Sequence, residues 1–480
     1  MGLWTRKSLS KISTDLEGER HTLKRTLGPW NLISLGIGCI IGAGLFSITG
    51  IAAAENAGPA IVLSFIIAAV GCAFAALCYS ELATMIPVCG SAYTYAYVTM
   101  GELIAWIIGW NLVLEYAIGA ATVSISWSAY VVSFLNGIGI YPPADLIASP
   151  WQPVRMEDGT MVYGLINLPA VLILGLVTSI LILGIKESAL FNAAIVVTKV
   201  SVVIIFIAVG FFYINPDNYH PFIPENTGTF GEFGWSGIMR ASGVVFFAYI
   251  GFDAVSTAAQ ETKNPSKAVP WGIMGSLIIC TVLYILFAFV MTGLVNYKDL
   301  KVAAPVALAI EQTPYWWLQG LIKMAIIAGF TSVMLVLLLG QSRIFYTMAR
   351  DGLLPRLFCE LHPTFHTPWR CNLILFAFVS LFGAFCPLSV VGHMTSIGTL
   401  MAFVIVCAGV MVLRYTHPDW HRPFRTPWVP VVPILGIGIC LAMMMSLGEA
   451  TWLRLIVWLA IGIVIYALWG RHHVQPNNSD

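Results

Sequence analysis

Long apolar runs separated by short polar segments make up most of the chain. About 20 consecutive apolar residues cross the hydrocarbon core of a bilayer as an α-helix, so each run of that length predicts a membrane-spanning helix. The pattern therefore predicts an all-α integral membrane protein with twelve transmembrane helices, which we number as spans 1 to 12. The runs lie near 31–54, 58–84, 103–136, 167–184, 190–214, 234–258, 270–295, 315–342, 371–388, 392–413, 430–447 and 451–470.

The composition supports a lipid environment. Hydrophobic residues make up 58% of the 480 positions and charged residues only 10%, whereas soluble domains carry about a quarter charged residues. The formal net charge of +1 gives no indication of nucleic-acid binding. Most of the ten cysteines lie inside apolar runs without CxxC or metal-ligand spacing. We expect apolar packing from them, and neither a metal site nor a cofactor.

The distribution of Lys and Arg predicts that both termini are cytoplasmic, because cytoplasmic loops carry an excess of these residues. With the N-terminus inside, the inner segments hold 17 of the 24 Lys and Arg residues and the outer loops hold three. The first 29 residues are polar and basic without an apolar core before a cleavage site, which is not the pattern of a signal peptide.

Two of the predicted spans are interrupted. Span 1 contains the run GIGCIIGAGLF at residues 36–46, and each glycine weakens a helix by about 1 kcal/mol relative to alanine. Span 6 is interrupted at residues 246–252. Because the two interrupted helices are five spans apart, an odd number, their halves enter the membrane from opposite faces. Such a pair is typical of transporters with inverted repeats.

This symmetry predicts how the chain is divided. Spans 11 and 12 fall outside the repeat and are expected to be peripheral, and nothing in the sequence demands more than a monomer. The predicted segments are a cytoplasmic N-terminal segment at 1–29, a first repeat at 30–214, a second repeat at 234–414, spans 11 and 12 at 430–470, and a cytoplasmic tail at 471–480.

The interruptions indicate backbone groups that can bind a ligand, because unwound backbone in a membrane lines a cavity or is buried in protein. The N–H groups of Gly42, Ala43 and Gly44 can receive a carboxylate at the positive end of a helix. The carbonyl of Ile40 and those around 247–250 can receive an ammonium group. An amino acid carries both charges. Close helix packing also explains the glycines, but the second interruption favours a binding site.

Charged residues inside membrane spans are rare and usually functional. Lys199 lies in the middle of span 5, where it can tie helices together or carry a proton. Glu115 lies deep in span 3 and can pair with a polar neighbour, recognise a cationic substrate or take part in proton movement. Asp253 is expected to cap the half-helix after the span 6 break. Arg240 and Lys323 lie nearer the outer ends and are expected to reach the interface.

Six motifs resemble the APC (amino acid–polyamine–organocation) superfamily, and specifically the bacterial branch of its cationic amino acid transporter family. Together they cover the chain from about Thr26 to Arg471. The motifs are GIGCIIGAGLF (36–46), ENAGPAIVLSF (55–65), CYSELATMIPVCGSAYTYAYVTMGELIAWIIGWNLVLEY (78–116), VVFFAYIGFDAVSTAAQETKNP (244–265), GQSRIFYTMARDGLLP (340–355) and RPFRTPWVPVVP (422–433).

The resemblance implies the leucine-transporter fold, with five plus five inverted helices and two peripheral ones. It implies secondary transport of L-amino acids by alternating access, with the substrate between the breaks of spans 1 and 6. Phe247 matches an aromatic residue that covers this site from outside. The substrate-binding positions carried over by the resemblance are Ile40, Gly42, Ala43, Gly44, Phe247, Ala248 and Ile250.

Two further positions bear on coupling and specificity. Lys199 matches a lysine whose ammonium stands where sodium-coupled relatives hold a sodium ion, which implies proton coupling. Position 43 is alanine, where some bacterial relatives have a hydroxyl residue, so a side-chain contact to the substrate carboxylate is lost.

The sequence thus predicts a proton-coupled L-amino acid symporter of the bacterial inner membrane. An exchanger of cationic amino acids or polyamines, without net proton flow, is the main alternative. Glu115 is the obvious counter-charge for a cationic substrate, whereas relatives in this branch also favour small neutral amino acids. A membrane enzyme is not expected, because no nucleophile–base pair or metal cluster is visible, and the 137–166 loop is too short for a receptor domain.

Overall fold

The computed structural model describes residues 27–86, 91–155, 161–184, 189–257 and 262–473, and this part of the chain is mostly α-helical. In chain order the helices are α1 Pro29–Ile40, α2 Thr49–Ala52, α3 Ile61–Met85, α4 Ser91–Thr99, α5 Glu102–Val113, α6 Gly119–Gly137, α7 Leu168–Leu183, α8 Ala189–Gly210, α9 Gly234–Val245, α10 Ala254–Thr257, α11 Pro265–Leu294, α12 Pro305–Ile310, α13 Trp316–Arg350, α14 Trp369–Phe385, α15 Leu388–Thr416, α16 Val431–Ser446, α17 Glu449–Ile465 and α18 Arg471–His473.

Several of these helices are continuous with the next helical segment through π-helical turns. π-helical turns extend α2 on both sides, at Gly44–Ile48 and Ala53–Ala57, and join α5 to α6 at Leu114–Ile118. Two short antiparallel strands, β1 Pro153–Arg155 and β2 Met161–Tyr163, lie in the loop between α6 and α7.

Seven helical stretches of the described chain are long and apolar enough to cross a membrane, judged by length and composition. Each of the twelve predicted runs overlaps helix in the structure, while the count of twelve crossings stays a prediction. The short helices α4 and α12 were not predicted, because neither forms a long apolar run. The seven stretches are Gly44–Met85, Glu102–Gly137, Ala193–Tyr213, Pro265–Leu294, Trp316–Arg350, Leu388–Thr416 and Glu449–Gly470.

Local sequence explains where α7 begins and ends. Asn167 precedes the helix, and its side chain accepts a hydrogen bond from the Ala170 N–H at 3.3 Å, which satisfies one of the free amides of the first turn. Gly184 follows the helix in the left-handed conformation (φ +68°), where glycine carries no steric penalty.

The two interrupted helices lie in the interior of the bundle. α1 packs along α11, α9 packs along α3, and α3 and α11 pack against each other, so one half of each broken helix lies on this pair. A second group of helices is built around α6 and α13, which run alongside each other, with α7, α14 and α15 against them. The space between these two groups contains the helix breaks and the polar residues predicted to form a site.

A buried carboxylate joins the two groups at one end. Glu81 of α3 is fully buried and receives two hydrogen bonds of 2.8 Å from Arg414 at the end of α15. The Thr426 N–H donates to Glu81 at 2.7 Å, and the Arg422 guanidinium lies 3.3 Å away. A paired and hydrogen-bonded carboxylate of this kind fixes one geometry of α3 relative to α15.

Candidate functional site

The first helix break lies between α1 and α2. α1 ends at Ile40, and Ile41 takes an extended conformation (φ −71°, ψ 107°). Helical structure resumes at Gly44, with the N–H groups of Leu45 and Phe46 both donating to the Gly42 carbonyl at 3.2 Å. Within the described chain, the N–H groups of residues 42–44 donate to no backbone carbonyl. Three free amides therefore stand at the start of a helical segment, where an anion is favoured.

The glycines of the 36–46 run have two different roles. Gly36 and Gly38 are inside α1, and a Cβ atom there would overlap the side chains of Ser276 of α11 and Val196 of α8. These two glycines allow close helix packing, which was the alternative explanation for the run. The unwinding is confined to residues 41 and 42.

The second break follows α9. A 3₁₀ turn at Phe246–Tyr249 leads to Ile250, whose N–H donates to the Phe247 carbonyl at 3.2 Å. Gly251 then has φ +115°, a conformation that side-chain-bearing residues rarely adopt. Asp253 follows the break, and its Oδ2 accepts a 2.7 Å hydrogen bond from the Tyr116 hydroxyl of the π turn after α5.

The two breaks touch each other through glycine. A Cβ atom on Gly44 would overlap the backbone of Ala248, and one on Gly251 would lie 2.9 Å from the carbonyl carbon and oxygen of Cys39. Neither backbone can move aside without moving its helix. At Gly42, by contrast, a Cβ atom would meet Val333 at an ordinary 3.4 Å.

A small cavity of about 20 Å³ lies at this junction. The structure brings together six of the seven backbone-break residues predicted for the site, with Glu115, while Ala248 lies behind the wall against Gly44. The sequence did not predict the remaining wall residues, which come from the end of α1, α6 and α13. The lining is Cys39, Ile40, Gly42, Ala43, Gly44, Glu115, Gly119, Val123, Phe247, Ile250, Val333 and Leu337.

The size of the cavity constrains what it can do. A cavity needs about 10–15 Å³ to hold one water molecule, so this cavity has room for little more than a single water. Even glycine, with five heavy atoms, needs more room. An amino acid can enter only if the helix halves around the cavity move apart.

Glu115 contributes the one carboxyl group in the cavity wall. The residue is 1% exposed, and within the described chain neither carboxyl oxygen meets hydrogen-bond geometry with a partner. The Thr399 hydroxyl lies beside it but donates to the Thr395 carbonyl at 3.0 Å. A buried carboxyl group with this little hydrogen bonding is costly, so Glu115 is available to a proton or to a polar group of a ligand.

Tyr284 of α11 is a site residue that the sequence did not predict. Its hydroxyl lies 2.8 Å from the Ile40 carbonyl and 3.0 Å from the Ala248 carbonyl, one from each break. A phenol has one proton to donate, so the two carbonyls share it. The Tyr284 hydroxyl thereby connects the two unwound segments. The only signal in the sequence was a tyrosine inside an apolar run, where a buried hydroxyl usually needs a partner.

Lys199 of α8 reaches the first break from behind. It is 2% exposed, and its ammonium donates to the Gly38 carbonyl of α1 at 2.8 Å. Its alkyl chain lies against Gly329 of α13, where an added Cβ atom would be 3.1 Å from Cε. The Lys199 side chain therefore contacts both α1 and α13. Within the described ranges, no cluster of three or more His, Cys, Asp or Glu could hold a metal ion.

Aromatic side chains pack next to the first break on the side of α12. The ring of Phe46 packs against Phe330 with centroids 6.0 Å apart, and Phe330 packs edge-on against Tyr130 at 5.5 Å. The Tyr130 hydroxyl donates to the Phe46 carbonyl and accepts from the Val306 N–H of α12 at 3.3 Å. These contacts connect the first break to α6, α12 and α13.

Comparison with known proteins adds independent information. The family described as "Amino acid permease" matches residues 27–468. The methylthioribose transporter of Bacillus subtilis (strain 168) is 44% identical over 475 residues, covering 99% of both chains. The branched-chain amino acid permease BcaP of the same organism is 44% identical over 476 residues, with the same coverage. The vacuolar cationic amino acid transporter 4 of Arabidopsis thaliana is 30% identical, covering 99% of this chain and 96% of its own. These relatives are named as transporters and permeases, not as enzymes.

Proposed function

Because this chain belongs to the amino acid permease family of the APC superfamily, as a multi-pass membrane protein, we propose that it is a proton-coupled symporter of neutral aliphatic L-amino acids. The substrate binds at the junction of the two helix breaks. The observation that carries this proposal is the set of three free amides at residues 42–44, facing a cavity that both breaks line.

The backbone supplies the recognition of the amino acid group. The N–H groups of residues 42–44, at the start of the helical segment that includes α2, hold the carboxylate. The carbonyls of Ile40 and of the 247–250 turn hold the ammonium. The Tyr284 hydroxyl keeps the Ile40 carbonyl in place, and each carbonyl oxygen has a second lone pair for the substrate.

The walls of the cavity favour an aliphatic side chain. Val123, Ile250, Val333 and Leu337 are all apolar, and one relative of 44% identity is named a branched-chain amino acid permease. Burying a Val or Leu side chain is worth about 1.5–3 kcal/mol. Glu115 is the opposing observation, because its carboxyl group offers a partner for a cationic side chain, as the cationic amino acid transporter relatives suggest.

The fold that accompanies this function is the leucine-transporter arrangement. We propose twelve crossings, with inverted repeats at 30–214 and 234–414, peripheral helices at 430–470, cytoplasmic ends at 1–29 and 471–480, and a functional monomer in the bacterial inner membrane. The face-to-face packing of the two breaks supports this arrangement. Alternating access then consists of movement of the helix halves against α6 and α13.

Proton coupling is assigned to Lys199. A charged ammonium holds the Gly38 carbonyl and keeps α1 against α8. Loss of its proton removes one donor and the charge, which weakens that contact and frees α1 to move.

Uptake into proteoliposomes tests both parts of this proposal. A pH gradient, acidic outside, should drive accumulation of radiolabelled L-leucine above the equilibrium level. Lys199→Met should abolish accumulation, and the exposed neighbour Thr198→Ala should retain it. Undiminished accumulation by Lys199→Met would exclude the coupling role. Counterflow that persists without a pH gradient, while net uptake fails in the wild type, would favour the exchanger.

A thermal-shift panel identifies the substrate class. It should include the twenty amino acids, ornithine, polyamines and methylthioribose, the last because of the transporter of 44% identity. We expect the largest stabilisation from leucine, isoleucine or valine, since a ligand that binds only the folded state raises its stability. Stabilisation by lysine or ornithine alone would assign Glu115 to a cationic substrate.

A further inference from the structure

The first turns of α1 and α11 lie side by side at one end of the bundle, which the distribution of Lys and Arg predicts to be cytoplasmic. Leu32 lies against Gly272, where an added Cβ atom would be 2.6 Å from the Leu32 Cβ, and Gly36 lies against Ser276. Residue numbers rise together in both pairs, so the two helices run parallel. They therefore present their first turns at the same membrane surface.

One face of α11 changes from charged to aromatic to aliphatic along its length. Its residues are spaced by four or seven positions, which keeps side chains on one side of a helix. Tryptophan concentrates at the boundary between hydrocarbon and headgroups, so Trp271 marks that boundary. Lys267 lies one turn beyond it, about 6 Å along the axis, at the level of the lipid phosphates. The exposed residues on this face are Lys267, Trp271, Ile278, Val282 and Leu286.

The start of α1 adds a second tryptophan to this surface. Trp30 is 78% exposed. The two helices are parallel and turn by about 100° per residue, so the contacts between them place Trp30 and Trp271 on the same side of the helix pair. The two indole rings therefore flank the groove between the first turns of α1 and α11.

Two lysines at this groove have free ammonium groups. Lys263 lies beside the start of α1, because its N–H donates to the Leu27 carbonyl at 3.1 Å. Lys267 lies in the first turn of α11. Both are exposed, and among the described residues neither ammonium has an ion pair or a hydrogen bond. By contrast, Arg414, which is predicted to face the same side of the membrane, is paired with Glu81.

We propose that the groove between the first turns of α1 and α11 binds the headgroup of an anionic phospholipid. The ammonium groups of Lys263 and Lys267 take the phosphate, and Trp30 and Trp271 lie against the glycerol region. The acyl chains follow the aliphatic face of α11. Anionic lipid attracts lysines near the membrane surface, whereas a zwitterionic phospholipid carries its own ammonium group and gains less from them.

A lipid at this groove acts on the helix that leads to the first break. α1 ends at Ile40, and Lys199 donates to its Gly38 carbonyl from α8. A headgroup that contacts Trp30 and the lysines at the start of α11 fastens the opposite end of α1. The bound lipid therefore stabilises the arrangement in which α1 packs along α11, because a ligand shifts a protein towards the state that it binds better.

Native mass spectrometry of the purified full chain tests this inference, with dioleoyl-phosphatidylglycerol and dioleoyl-phosphatidylcholine added to the detergent. The wild type should bind phosphatidylglycerol more tightly. Each lysine near the phosphate contributes about a factor of five, so Lys263→Gln/Lys267→Gln should weaken the tightest phosphatidylglycerol by about thirtyfold. Binding of phosphatidylcholine should not change. Arg343→Gln/Arg425→Gln is the matched control, because it removes two exposed positive charges predicted to be on the same side, and it should bind like the wild type.

Three results would overturn the lipid site. Equal losses in the lysine variant and the arginine control would show attraction by overall charge. Equal binding of both lipids by the wild type would show no preference for an anionic headgroup. Full competition by sn-glycerol 3-phosphate, which has the charge without the acyl chains, would identify a site for soluble anions. Melting curves show that each variant is folded, and phosphatidylglycerol should raise the melting temperature of the wild type and the control more than that of the lysine variant.

Discussion

The break between α1 and α2 and the break between α9 and α10 lie against each other, but they release different backbone groups. The first leaves three amides free at the start of a helical segment. The second is a tighter 3₁₀ turn that ends in a glycine with φ +115°. The first break therefore offers donors to an anion, and the second offers carbonyls at a turn that requires glycine.

The two breaks also differ in the side chains that form hydrogen bonds next to them. Lys199 approaches the first break from α8, and Tyr116 donates to Asp253 beyond the second. The Tyr284 hydroxyl lies within hydrogen-bonding distance of a carbonyl from each break. Two broken helices can thus look alike in sequence pattern and still have complementary chemistry, which is what a ligand with two opposite charges requires.

Gly44→Ala should have the largest effect on this arrangement. The added methyl group overlaps the Ala248 backbone, and overpacking of this kind costs about 3 kcal/mol or more. We expect uptake in proteoliposomes to fall by roughly 100-fold, since 1.36 kcal/mol corresponds to about a factor of ten, together with a lower melting temperature. Gly320→Ala is the matched control and should leave uptake unchanged, because its methyl group would meet nothing within 4 Å. Equal loss in both variants would mean that the breaks do not depend on this contact.

Gly251→Ala tests the second break. A side chain at φ +115°, with the Cys39 carbonyl 2.9 Å from its Cβ, stores about 1–3 kcal/mol of strain. We expect roughly tenfold slower uptake. Gly438→Ala, whose Cβ atom would meet nothing within 4 Å, should leave uptake unchanged. Wild-type activity of Gly251→Ala would show that this conformation is not required.

Tyr284→Phe should have a smaller effect, confined to the link between the breaks. It keeps the ring and removes one donor from the Ile40 and Ala248 carbonyls, at a cost of about 1–1.5 kcal/mol. The apparent affinity for substrate should fall about fivefold to tenfold. Tyr219→Phe removes a 2.7 Å hydrogen bond to the Phe289 carbonyl, where neither residue lines the cavity, and should not change the affinity.

Ala43→Ser should have the smallest effect. The hydroxyl would add a donor near the three amides, worth at most about 1 kcal/mol, so affinity should rise by about fivefold or less. Competition binding with L-leucine measures it. A large loss would mean that the wall at position 43 is closer to the substrate side chain than to its carboxylate.

Some of this arrangement could be predicted from the sequence. Glycines and an interrupted apolar run mark a break because they change backbone preference locally, and Ile40, Gly42, Phe247 and Glu115 do meet at one cavity. The sequence could not separate Gly36 and Gly38 from Gly42 and Gly44, since the same residue type serves both close packing and unwinding.

Other parts could not be predicted. Val333 and Leu337 line the cavity, but apolar residues in a helix that is apolar all round carry no signal of which face points inward. Tyr284 and Tyr130 act through hydroxyls whose partners are backbone carbonyls on distant segments. The ion pair of Lys323 with Glu311 depends on how α12 folds over the bundle, which no local pattern encodes.

The central claim is that free amides at residues 42–44 hold the substrate carboxylate. Competition against radiolabelled L-leucine uptake by leucinamide, which keeps the ammonium and the side chain but lacks the carboxylate, tests it most directly. Loss of a charge-assisted hydrogen-bond set worth about 1.5–3 kcal/mol predicts competition weaker than that of unlabelled leucine by roughly tenfold to 100-fold. Equal competition by leucinamide and leucine would contradict the account.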